Sequence, residues 1–191
     1  MSVLIIGLVV FLGIHLLPAF PARRDALRAR FGAMPYKLGY SVIALAGLVL
    51  VIYGYGLARA QGPIVVYDPP FWLRHLVMLL MLPVFVLLAA AEMPAGHIKK
   101  RVKHPMILAV KIWALSHLLV NGDAASLLLF GGFLAWGVID RISLKRRGNI
   151  GGGAATTVSA KWDVIAIVVG LAIYGLFVAF LHQWLIGVPI I

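Results

Sequence analysis

Six long apolar stretches, broken by little more than prolines and single histidines, decide what this chain can fold into. A helix crosses a hydrocarbon core of ~30 Å with ~20 residues, and these stretches are of that order. They do not alternate with a two-residue period, which argues against a membrane β-barrel. The expected fold is therefore all-α: a polytopic membrane helix bundle of about six transmembrane helices. It forms a single integral membrane domain over residues 1–191. Composition agrees, with 63% of the residues hydrophobic and 12% charged, against roughly 25% charged in soluble domains.

The formal charge of +11 is a nucleic-acid binder's value. The bases, however, fall in short clusters between the apolar runs, where they meet an anionic leaflet. The expected partner is the lipid bilayer, with no nucleic acid. The absence of cysteine excludes disulfides, thiolate clusters and cysteine nucleophiles. The first apolar stretch lacks a basic region before it and carries Arg23 and Arg24 after it, which suits a retained span rather than a cleaved signal.

The spans are expected at about 3–20, 38–58, 71–92, from Pro105 to Asn121-Gly122, 124–142 and 163–187. Pro105 suits a first helical turn, and Asp123 is placed to cap the fifth helix. Pro83 is a candidate kink in the third. Bases orient the helices. Arg23, Arg24, Arg28, Arg30 and Lys37 lie in the first connection. Lys99, Lys100, Arg101 and Lys103 lie in the third, and Arg141, Lys145, Arg146, Arg147 and Lys161 around the fifth. The even connections are nearly free of bases. The odd connections are then cytoplasmic and both termini outside, which in a Gram-negative bacterial inner membrane is the periplasm. Residues 148–157 read as a flexible loop, and their Gly151-Gly152-Gly153 run lacks the Lys-Ser/Thr of a phosphate loop. Asp25 and Asp68 read as loop residues. No inverted repeat argues for a transporter.

A histidine in hydrocarbon is expensive and usually functional. By depth, His75, His117 and His182 share the outer half, while His15 lies towards the inside. Imidazoles opposed across a bundle can hold a haem, and each can equally make an interhelical hydrogen bond. Trp113 and Asn121 lie at i−4 and i+4 from His117. They either line a flat cofactor pocket or form ordinary packing and a polar helix end. His97 reads as solvated, His104 as a cap at a helix entrance, and His182 as an interfacial hydrogen-bonder. Lys111 lies roughly 10 Å along its helix. There it either neutralises an anion, pairs with Glu92 or Asp140, or snorkels.

Phe-Leu-Gly-Ile-His at 11–15, Tyr-Asp-Pro-Pro-Phe-Trp-Leu-Arg-His at 67–75 and Lys-His-Pro-Met at 103–106 form an ordered set. Trp-Ala-Leu-Ser-His-Leu-Leu-Val-Asn-Gly-Asp at 113–123, Leu-Leu-Leu-Phe-Gly at 127–131 and Asp-Arg-Ile-Ser at 140–143 continue it. Together they resemble the NnrU family of bacterial inner-membrane proteins over nearly the whole chain. The resemblance implies a link to denitrification and nitric oxide metabolism. It also implies kinship with 15-cis-zeta-carotene isomerase, a membrane haem b enzyme with two histidine ligands. Those ligands correspond to His15 and His117, whereas depth alone pairs His75 with His117.

The expectation is a haem b protein with cofactor-binding residues His117, His15 and His75, the iron held by His117 and His15. Its activity would be isomerase-like or redox-linked, on a lipophilic small molecule or nitric oxide. The alternative is a non-enzymatic assembly partner of a respiratory membrane complex such as nitric oxide reductase. A small transporter or channel is the third reading.

Overall fold

The computed structural model describes residues 1–190. In chain order the helices are α1 (Ser2–Leu16), α2 (Pro21–Phe31), α3 (Ala33–Ala60), α4 (Leu73–Glu92) and α5 (His97–Val102). They continue as α6 (Pro105–Val120), α7 (Ala124–Arg146), α8 (Ala160–Leu176) and α9 (His182–Ile186). Among the described residues the one departure from helix and loop is an isolated antiparallel bridge between Val65 and Asp123. Five helical stretches are long and apolar enough to cross a membrane. At 16 residues, the apolar α6, where the sequence leads one to expect a short span, reaches ~24 Å and falls short of the other five. The all-α membrane architecture follows.

Two connections differ from expectation by being helical. Pro21 opens α2 at its first position, where the missing N–H costs nothing. Ala, Arg and Leu are good helix formers, and Gly32 stops the helix at φ 85°. Asp25 therefore lies in a helix and pairs with Arg24 at 2.9 Å. In the other connection, the N–H groups of His97 and Ile98 donate to the two oxygens of Asp163 at 2.8 and 2.9 Å. A carboxylate from the start of α8 thus satisfies the open end of α5, a contact invisible to local sequence. The glycine run is not a free loop either. Gly151–Ala154 forms a 3-10 turn, and the Gly152 N–H donates to the Lys103 carbonyl at 2.8 Å. Asp68 is in a loop as expected.

The chain divides into two compact units: Met1–Pro70 with His117–Leu144, and Phe71–Ser116 with Lys145–Ile191. In the first unit α1 packs along α3. Small residues let the two backbones approach, as membrane helix pairs commonly do. A Cβ at Gly7 would stand 2.6 Å from the Val51 nitrogen, and one at Gly47 2.7 Å from the Phe11 nitrogen. Gly54 is closed in the same way by the Leu4 backbone, and Leu4 is fully buried. In the second unit α4 packs along α8. There Gly170 abuts Val86, whose Cα would lie 2.6 Å from an added Cβ. Val84, Leu87 and Ala109 form its aliphatic core, with Ile112 and Trp113 packed against them.

Candidate functional site: an aromatic row with two histidines

Phe130, Phe133 and Trp136 recur at three-residue intervals on α7, so they form one oblique ridge of that helix. His117 stacks on Phe130, with ring centroids 4.7 Å apart and planes 28° off parallel. Phe11 of α1 meets Phe133 at 5.7 Å. His15, one turn further along α1, stands edge-on to Trp136 at 6.3 Å and 88°. It is also edge-on to Tyr40 of α3 at 5.6 Å. The first unit thus gathers His15 and His117 along a single aromatic row.

His15 is held in a defined way. Its Nδ1 donates to the Phe11 carbonyl at 2.6 Å, which leaves Nε2 as the nitrogen with a lone pair. A backbone carbonyl on one imidazole nitrogen is the usual means of orienting the other towards a metal. Beside it, the indole N–H of Trp136 is buried with no hydrogen-bond partner among the described residues. An orphaned buried donor costs ~1–3 kcal/mol, so an acceptor from outside the chain is the natural resolution. Ser116 Oγ, adjacent in sequence to His117, is a second buried polar atom without a partner.

The chain end of α6 and the start of α7 are tied down by a polar network. Asn121 donates its amide to the His117 carbonyl at 2.9 Å. Tyr67 donates to the Leu118 carbonyl and to that of Asn121. Burial and the Asp123 charge push the Tyr67 phenol above its ordinary value. Asp123 caps α7 as expected: it accepts from the Ser126 N–H at 3.0 Å and from Ser126 Oγ at 2.6 Å. Ser126 Oγ in turn meets the Tyr55 hydroxyl at 2.8 Å. The flanks of His117 make contacts within the chain. Trp113 joins the aliphatic core, and Asn121 binds a backbone carbonyl.

The remaining histidines belong to the second unit. His75 is exposed in the first turn of α4 and meets Phe71 edge-on at 5.6 Å. His104, ahead of α6, contacts the Asn149 carbonyl through Nε2 at 3.0 Å. His182 contacts the Val188 carbonyl through Nδ1 at 2.7 Å, the simple hydrogen bond expected of it. The Arg74 guanidinium lies over the Phe71 ring at 5.1 Å. Lys111 is half-buried and makes no hydrogen bond or ion pair among the described residues.

Among the described residues no group of three or more His, Asp or Glu side chains gathers to hold a metal, so any metal site rests on imidazole pairs. The donor chemistry of the row fits a haem. It offers two imidazoles, an oriented Nε2 on His15, flat aromatic walls and an unsatisfied indole donor. The register of α7 adds a constraint. The rings touching His117 and His15 are six residues apart, ~9 Å along the helix, with Phe133 between. Sequence reading missed Trp136, Phe133, Phe130 and Tyr40, because an aromatic ridge at helical spacing looks like core packing.

Against protein-family models, residues 3–190 match the one described as NnrU protein. No curated protein matches the chain, and no solved structure does.

Proposed function

Since the chain belongs to the NnrU family, we propose that it is a bacterial inner-membrane haem b protein with both termini periplasmic. In this reading it serves nitric oxide or denitrification metabolism through redox or isomerase-like chemistry on a lipophilic substrate. His15 and His117 are the proposed ligands. The observation that carries the reading is the His15 environment: one ring nitrogen tied to a carbonyl, and an orphaned indole N–H alongside. When bound, haem would supply a redox-active iron able to exchange a ligand. The chain's own residues orient and exclude. Phe11 sets the His15 tautomer, Phe130 holds the His117 ring by stacking, and the ridge keeps water away. Trp136 supplies a hydrogen bond to a bound polar atom.

The test is the visible spectrum of the protein purified in mild detergent from haem-replete cells, oxidised and then dithionite-reduced. A Soret band with split bands on reduction, at about one haem per chain, is expected. A colourless protein contradicts the reading. Copurification of a respiratory subunit with that colourless protein would support the assembly-partner role instead.

A further inference from the structure

A hollow of about 310 Å³ opens at the end of the first unit nearest α2, lined by Pro18, Tyr36, Lys37, Tyr40 and Ser41. Its polar groups are one ammonium and three hydroxyls. Among the described residues none of the four side chains has a hydrogen-bond or ion-pair partner. Tyr36 and Tyr40 contact each other only through their rings, at 6.3 Å. No carboxylate lines the hollow. Of the acidic groups nearby, Asp25 is held by Arg24. Asp140 is close enough to act on Tyr40 but has contacts of its own. Lys37 gives the largely apolar hollow its one full charge, a positive one, and the three hydroxyls are each able to donate to an anion.

The surroundings say which anion. The hollow lies beside the basic helix α2, whose Arg23, Arg28 and Arg30 are exposed. Next to Lys37 and Ser41 on α3 runs an apolar stripe of Leu38, Val42 and Leu45, which are 65%, 58% and 62% exposed. A phosphate seated in the hollow with hydrocarbon along the stripe satisfies both features, and a free inorganic anion satisfies only the first. We propose that this hollow seats the phosphate of an anionic membrane phospholipid, with Lys37 as its charge partner and Tyr36, Tyr40 and Ser41 as hydroxyl donors. Its acyl chains then lie along the Leu38–Val42–Leu45 stripe. Its charge partner Lys37 lies outside the aromatic row, while Tyr40 also stands edge-on to His15.

The test is native mass spectrometry of the full chain in detergent, titrated with phosphatidylglycerol and separately with phosphatidylcholine. The wild type is expected to retain one phosphatidylglycerol in preference to phosphatidylcholine. Lys37→Gln should weaken that binding about five- to tenfold, the scale of one lost cation and charge-assisted hydrogen bond at an anionic leaflet. The double change Tyr36→Phe with Tyr40→Phe should weaken it about threefold, as befits neutral donors. Lys100→Gln, on exposed α5, should leave it unchanged. Equal retention of the two lipids, or equal losses from Lys37→Gln and Lys100→Gln, would overturn the site. Displacement of the lipid by millimolar inorganic phosphate would overturn its assignment to a lipid. All variants lie at exposed or half-exposed positions, and unchanged helical circular dichroism guards against misfolding.

Discussion

The two units of this protein differ in what their polar side chains meet. In the second, several bond to groups within the chain. Asp163 closes α5, and Lys99 donates to the carbonyls of Ala91 and Met93 at 2.7 and 2.6 Å. Tyr174 donates to the Met78 carbonyl at 2.9 Å. In the first unit the network around Asp123 also bonds within the chain, but the row along α7 and the hollow beside α2 leave donors open. An indole N–H, an ammonium and three hydroxyls have no acceptor there among the described residues. Of these, the Trp136 indole is the buried orphan, which apolar surroundings make costly. Ser116 Oγ, a buried atom of the second unit without a partner among the described residues, and the half-buried Lys111 both lie on α6, the helix that continues to His117.

Substitutions probe the difference between the two units. The largest effect is expected where backbones touch. Gly54→Leu forces a side chain into the Leu4 backbone and should cost about 3 kcal/mol or abolish folding, read as thermal stability in detergent. Gly56→Ala, with nothing within 4 Å of its added Cβ, should be neutral to slightly stabilising. In the second unit, Asp163→Ala removes two hydrogen bonds from α5 and should cost about 1–2 kcal/mol, with proteolytic nicking rising around residues 93–104. A matched pair then separates satisfied from unsatisfied groups, since Ser116 and Ser126 are both fully buried. Ser126→Ala breaks contacts with Asp123 and Tyr55 and should cost about 1 kcal/mol or more, whereas Ser116→Ala should be neutral or stabilising in the ligand-free protein. A large loss from Ser116→Ala would place a partner on that hydroxyl.

The smallest effect concerns pH. Tyr67 has its phenol pKa raised in the fold by burial and Asp123. For an acid with a raised folded pKa, its contribution is complete below the unfolded value of about 10. It is lost as pH rises from there through the folded value. Stability should therefore fall slightly more steeply above pH 10 in the wild type than in Tyr67→Phe, measured by thermal melts.

Much of the fold was legible because the membrane demands it. Long apolar runs bounded by Pro18, Pro21, Pro70 and Pro105 leave a chain few alternatives to spanning helices, and Asp123 declared its cap by position. The helices α2 and α5 were hidden for different reasons. The charge pattern of α2 masks good helix formers behind Pro21. The start of α5 is completed by Asp163, 66 residues away from His97. The candidate site was half legible. His15 and His117 stood out because imidazole is conspicuous in hydrocarbon, whereas Trp136 did not, since its significance lies in a hydrogen bond it fails to make. The hollow was invisible because Pro18, Lys37 and two tyrosines are ordinary interface residues until a structure brings them together.

The most direct test of the contrast between the units is haem content across single histidine variants. Bound haem per chain should be measured by pyridine haemochrome for His15→Ala and His117→Ala in the first unit. The same measurement is made for His75→Ala, His104→Ala and His182→Ala in the second. The account predicts loss of haem, or a shifted reduced spectrum, in the first pair and wild-type content in the other three. Loss confined to His75→Ala, or haem retained unchanged in both His15→Ala and His117→Ala, would contradict it.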